Sequence, residues 1–251
     1  MKTAGLLGVA LFWSLTIAGQ AGVSVFDQAR AHYDKGEFRE AIAAYESLLP
    51  EGGKSPVLHY NLGNAWFRAG DLGKAILHYE RGLKYAPGDE DLRFNLSVAR
   101  AQQVDQIEAL PPFLLLRWWT GLRNLLAANT WTWLGILLFW TAAAGVGVWG
   151  LAGVRAWRKR GFWTAVILFP LAFLVFALAF NRKAFELHSG QAIVIVGETD
   201  LRIAPDPESR AVRPLHAGAK TWLEDQIGEW YKVRLENGEV GWIEVGEVAE
   251  I

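Results

Sequence analysis

Cysteine is absent from these 251 residues. Its absence excludes disulfides, thiolate catalysis, cysteine-bound metal and a lipidated N-terminal cysteine. The five histidines, His32, His59, His78, His188 and His216, are scattered and form no His-x-x-x-His pair. Neither a Gly-x-Ser-x-Gly nucleophile turn nor a Gly-rich phosphate loop ending in lysine occurs. Paired acids such as Glu90-Asp91 and Glu224-Asp225 read as solvated surface charge. The expectation is a non-enzymatic protein with no cofactor and no metal. Charge is also missing locally: residues 124–154 and 161–181 hold none, and no Asp or Glu lies between Leu110 and Ala184.

Those two uncharged segments are each long enough to cross a bilayer, whose hydrocarbon core of ~30 Å needs about 20 apolar residues in a helix. Between them sit Arg155, Arg158, Lys159 and Arg160. The expected arrangement is a membrane hairpin, with spans at 129–152 and 162–181 and a basic loop at 153–161. The positive-inside rule puts that loop in the cytoplasm and both flanks outside, with Arg182 and Lys183 counting against the bias. Trp131 and Trp133 would mark the outer headgroup layer, and Trp149, Trp157 and Trp163 the inner one. Ala143 and Gly147, four apart, are the expected point of close helix approach, and Pro170 the expected site of a kink. No ionisable group lies within either span, which argues against an ion or proton path.

Residues 1–21 carry Lys2, an apolar run from Leu6 to Ile17, and Gly19-Gln20-Ala21 with small residues where a signal peptidase reads. A cleaved secretory signal and a retained anchor helix are both compatible with this pattern, and either one exports the chain from residue 22 onwards.

Residues 22–108 repeat internally. A shift of 34 positions aligns Ala29 with Gly63, Gly36 with Gly70, Phe38 with Leu72, Ala41-Ile42 with Ala75-Ile76, and Tyr45-Glu46 with Tyr79-Glu80. Small residues at these positions let paired helices touch, the two tyrosines fill the groove between pairs, and the glycines make the turns. The run from His59 through Trp66 to Pro87 resembles the tetratricopeptide repeat family. A third copy starts at Asn95-Leu96 and stops, giving two repeats and a capping helix. Because each unit buries its apolar face on a neighbour, something else must cover the end. The apolar segment 113–127, within a linker or interfacial stretch at 109–128, either docks there or lies in the outer headgroup layer. The resemblance implies a concave groove that holds a protein partner, with Arg30, Asn61, Asn64, Arg68 and Asn95 facing it, and Arg30, Asn64 and Arg68 free of core contacts.

From Gln191 the composition changes to short β-rich runs at 192–196, 220–224, 230–235 and 240–243, with a hairpin turn at Glu236-Asn237-Gly238. Tyr231, Val233 and Leu235 should share one buried face. Leu201 to Pro205, Leu215 to Gly218, Trp230 to Val233 and Gly238 to Ile243 resemble the bacterial SH3 family, although Ile203-Ala204 replaces its usual Ser-Gly. The resemblance implies a small all-β barrel over 190–251, associated with peptidoglycan or envelope proteins. Trp222, Trp230 and Trp242 then either stack on a ligand or pack in the core. With 13 acids against six bases from Ala184 on, this end does not suit nucleic acid.

The expected fold class is therefore a multidomain membrane protein: an α-helical tetratricopeptide solenoid, a two-helix transmembrane hairpin and an SH3-like barrel. That order resembles the BatE-type family of the Bacteroides aerotolerance operon, which accompanies a MoxR-type ATPase and membrane proteins with von Willebrand factor A domains. The resemblance implies an inner-membrane scaffold; the alternative is a peptidoglycan sensor acting through the SH3 module.

Overall fold

The computed structural model describes residues 25–49, 53–111 and 113–251. The expected signal segment, 1–21, lies outside the described residues. The chain forms two compact units. Of the described residues, the first joins those from 25 to 83 and from 90 to 109 to residues 190–251, and the second holds 84–89 and 110–189.

In the first unit, a helix over residues 25–34 (α1) is followed by α2 (Phe38–Glu46), α3 (Pro56–Arg68), α4 (Leu72–Tyr85) and α5 (Glu90–Arg100). Local chemistry sets the boundaries. Ser55 accepts the Leu58 N–H at 3.3 Å and Pro56 opens α3, while Asp71 accepts the Lys74 N–H at 3.0 Å at the start of α4. The two glycines 34 apart, Gly36 and Gly70, end α1 and α3 with φ of 82° and 85°, a conformation costly for any residue with a Cβ. Ala29, Ala41, Tyr45, Leu62 and Ala65 share one core across α1–α3. A Cβ on Gly63 would collide with the Tyr79 ring, so the smallness of this residue is what lets α3 and α4 meet.

Residues 190–251 form seven strands: β1 (Gln191–Val194), β2 (Glu198–Arg202), β3 (Ala211–His216), β4 (Lys220–Ile227), β5 (Trp230–Leu235), β6 (Val240–Glu244) and β7 (Val248–Glu250). They pair antiparallel in the order β3-β2-β6-β5-β4-β1-β7. The expected closed barrel does not form. β3 and β7 remain as edges of an open sheet, because the strand order ends on them and no pairing joins the two. Val233 and Leu235 are fully buried and Tyr231 packs on the same core, as the alternation of β5 predicts. At 236–238 only Gly238 takes positive φ, and Asn237 instead accepts the Glu239 N–H at 3.1 Å.

The sheet covers the end of the helical repeats. Ile193 and Ile251 join Ala75, Ile76, Leu92, Leu96 and Ala99 in one core. A Cβ on Gly73 would lie 2.8 Å from the Val194 carbonyl oxygen, so α4 rests directly on the backbone of β1. Polar contacts rim this junction. Glu80 pairs with Arg100 and, at 3.0 Å, with Lys220, and Arg81 Nε donates to the Glu250 carbonyl at 3.0 Å. Residues 101–107 continue the contact: Asp105 accepts the His216 N–H at 2.6 Å and meets its ring Nδ1 at 3.0 Å, and Ile107 packs on the sheet core. The cover that the short solenoid requires is thus supplied by the far end of the chain.

The second unit contains α6 (Leu114–Arg123), α7 (Ala128–Leu151) and α8 (Arg155–Leu187). Both α7 and α8 are long and apolar enough to cross a membrane. Only residues 152–154 connect them. Arg155, Arg158, Lys159 and Arg160 form the first turns of α8 in place of the expected loop, and α8 continues through Pro170. The close approach expected at Ala143 and Gly147 falls on a different face: nothing lies within 4 Å of a Cβ on Gly147, whereas one on Gly145 would meet the Gly161 carbonyl at 2.9 Å. Ala142 and Gly145 are buried against α8, and Gly135 sits under the Phe176 ring. At the opposite end of this helix pair, Arg182 is buried, donating to Asn124 Oδ1 at 3.1 Å and pairing with Glu186 at 3.5 Å. Trp119 and Arg123 of α6 both reach Asn181. Leu114, Leu115, Trp118 and Leu122 of α6 are exposed, an apolar stripe at helical spacing.

Candidate functional site

Two surfaces of the first unit carry side chains capable of recognition. On α3, Val57, Asn61, Asn64 and Arg68 follow helical spacing along one side, and on α5 Asp91, Phe94, Asn95 and Val98 do the same. The two sides adjoin, because Asn95 Nδ2 donates to Asn64 Oδ1 at 2.8 Å. Asn64 Oδ1 also accepts the Tyr79 hydroxyl at 2.8 Å. Asn64 is therefore a structural bracket between α3, α4 and α5, which corrects the expectation that it makes no core contact. Asn61 donates to the Val57 carbonyl of its own helix at 2.7 Å. Arg68 lies 4.9 Å from the centroid of the Phe38 ring, a cation–π contact, and Arg30 is exposed on α1. Sequence reasoning picked the polar residues here and missed the apolar ones: Phe94 is 67% exposed and Val57 61%. Their helical positions beside Asn95 and Asn61 were the available signal.

Behind this surface His59 and His78 are buried and meet through their Nδ1 atoms at 3.0 Å. His59 Nε2 is 3.0 Å from the Gly53 carbonyl, which only accepts, so that nitrogen carries a proton. Burial disfavours the imidazolium form of both rings, and in the neutral pair His59 Nδ1 accepts while His78 Nδ1–H donates. Burial, followed by the neighbouring His59 and the Arg81 and Lys74 charges, pulls His78 down to about 3. Burial also lowers His59, against the Gly53 hydrogen bond. Among the described residues no group of three or more His, Asp or Glu is placed to hold a metal.

The second surface is the outer face of the sheet. Trp222, Trp230 and Trp242 alternate with the buried Thr221, Val233 and Ile243, and none of the three indoles joins the sheet core. Strand register interleaves them with cations. Trp242 stands opposite both Arg202 and Lys232, and Trp222 opposite Arg234, whose guanidinium lies 5.8 Å from the indole centroid. Trp230 faces Glu244 beside an open cleft of about 340 Å³ that is also lined by Glu198, Asp200, Arg202 and Glu247.

Residues 26–90 match the tetratricopeptide repeat family. No curated protein matches the chain. The tetratricopeptide segment takes in α2, α3 and α4 and ends at the first residue of α5, so α3, with Val57, Asn61, Asn64 and Arg68, lies inside it while Phe94, Asn95 and Val98 lie just beyond. Tetratricopeptide repeats point to a role in protein–protein interaction.

Proposed function

We propose that this chain is a non-enzymatic scaffold of a bacterial cytoplasmic membrane. In this reading α7 and α8 cross the bilayer, with Arg155, Arg158, Lys159 and Arg160 on the cytoplasmic side. The repeats (22–108) and a C-terminal module of bacterial SH3 kind (190–251) are exported. They bind membrane proteins, in a Bat-type complex with a MoxR-type ATPase and von Willebrand factor A proteins, in aerotolerance or envelope stress. The observation that carries the topology is the make-up of the first unit: residues from both sides of the α7–α8 pair share one core, which requires an even number of crossings. Reporter fusions after Arg160 should be cytoplasmic and fusions at Ile251 exported; an exported report at Arg160 overturns the hairpin.

Partner binding in this reading uses the joined faces of α3 and α5, where Phe94 and Val98 present apolar surface beside Asn61 and Arg68. Phe94→Ser with Val98→Ser should abolish co-purification of von Willebrand factor A proteins while the helical signal and melting of the chain are retained. Retention of every partner would remove the groove from the reading.

A second reading, peptidoglycan binding, is favoured by the three outward tryptophans, since indoles free of the core are available to stack on sugars. Saturable sedimentation with peptidoglycan, lost in Trp222→Ala or Trp242→Ala, is its expected result.

A further inference from the structure

We propose that the basic end of α8 holds an anionic phospholipid in a defined site. The proposal rests on the membrane reading above and adds to it a ligand. Lys159, Arg160, Trp163, Thr164, Ile167 and Leu168 line an open cavity of about 630 Å³. Its wall is amphiphilic in one direction along the helix: two cations at the end nearest the α7–α8 connection, then an indole, then branched aliphatic side chains. Gly161, Ala165 and Ala172 form the adjoining buried stripe, so the cavity opens beside the α7 contact. No Asp or Glu lies between Leu110 and Ala184 to neutralise the cationic end from within.

The basic residues here are not equivalent. Arg158 Nε donates to the Trp149 carbonyl at 3.1 Å, which ties it to the end of α7. The Arg160 guanidinium stacks over Trp157 at 5.1 Å, fixing its plane while leaving its N–H groups available. Lys159 makes no hydrogen bond or ion pair among the described residues and is exposed at the cavity mouth. An unpaired ammonium and an oriented guanidinium at the top of an apolar, Trp-walled groove match a phosphate attached to acyl chains. Net negative charge is required of the ligand, because a zwitterionic headgroup would bring its own ammonium against Lys159 and Arg160. Inorganic phosphate would meet the cations but leave the Trp163–Ile167–Leu168 wall uncovered.

The test uses the full chain purified in detergent, with phosphatidylglycerol and phosphatidylcholine supplied in equal amounts and bound lipid counted by native mass spectrometry. Phosphatidylglycerol should be retained preferentially. Lys159→Gln should cut that preference by about fivefold and the Lys159→Gln, Arg160→Gln pair by roughly 10- to 30-fold, as expected for ~1 kcal/mol per cation at a membrane surface. Arg155→Gln removes an equal charge outside the cavity and should leave the preference intact. Equal retention of the two lipids, equal loss in Lys159→Gln and Arg155→Gln, or displacement by inorganic phosphate would each overturn the site. Retention of a second copy of the chain in place of lipid would assign the face to a helix partner and also overturn it. Recovery of the chain in aqueous extract without detergent would instead break the membrane reading, whatever the lipid result.

Discussion

The contact of α4 with β1 and the contact of α7 with α8 both use a glycine where backbone meets backbone, at Gly73 and at Gly145. Their surroundings differ. Around Gly73 lie buried isoleucines and a polar rim made of Glu80, Arg100, Lys220 and Arg81. Around Gly145 lie the small residues Gly161, Thr164 and Ala165, and its own segment from 124 to 154 is without a single charge. A junction in water gains free energy from removing apolar area, and its solvated charges set register and exclude wrong partners. In the membrane reading proposed above, α7 and α8 gain nothing from apolar burial as such, so close packing of small residues has to hold them.

The strongest way to break this comparison is to delete residues 190–251. Ile76 and Leu92 would return to water and Ile193 and Ile251 would be lost, so the repeats should lose at least roughly 4 kcal/mol and melt without cooperativity by circular dichroism. Repeats that melt unchanged without the sheet would show the junction to be incidental. Gly73→Val comes next. Its Cβ would press on the backbone of β1, which cannot rotate away, and a cost of roughly 3 kcal/mol in denaturant unfolding is expected. The matched pair in the hairpin is Gly145→Val against Gly147→Val: the first should weaken α7–α8 association in detergent, whereas the second should change stability by less than about 0.5 kcal/mol.

Acid sharpens the contrast, because the His59–His78 pair belongs to the first unit and α7 and α8 contain no histidine. His78 keeps its proton off in the folded state down to about 3, while the unfolded chain takes one up near the ordinary pKa of ~6.5. Stability from this burial is therefore full above about pH 6.5 and is lost as pH falls. The expected loss is roughly 2 kcal/mol between pH 7 and pH 5, and it should be smaller in His78→Leu. A melting temperature equally flat in wild type and variant would refute the assignment of neutral rings. A further modest effect is expected in Asn64→Ala, about 1 kcal/mol in denaturant unfolding, from leaving the Tyr79 hydroxyl and the Asn95 amide with a lost acceptor.

The repeat was legible because its signals are local: a 34-residue shift, glycines at fixed offsets, and Tyr79 placed to sit under Gly63. The two apolar helices were legible for the same reason. What escaped the sequence is contact between residues 111 to 169 positions apart, such as Asp105 with His216, Glu80 with Lys220 and Arg81 with Glu250. Each of these side chains also reads as an ordinary surface charge. A smaller error has a geometric cause: Gly147 and Gly145 differ by about 200° around a helix at roughly 100° per residue, so picking one over the other faces the opposite side. The bracketing contacts of Asn64 were not legible because an amide on a helix surface looks the same in sequence whether it waits for a ligand or joins helices.

The first unit is interrupted in the chain by everything from Leu110 to Ser189. During synthesis at about 5–20 residues per second, residues 110–251 take roughly 7–30 s to emerge from the ribosome after the repeats. For that interval the α4–α5 face has no sheet to cover Ile76 and Leu92, so the nascent protein presents an aggregation-prone surface until both apolar helices are placed and the last strand arrives. A chain that fails to bring its last strands back onto α4 and α5 cannot finish this core and remains open to proteolysis.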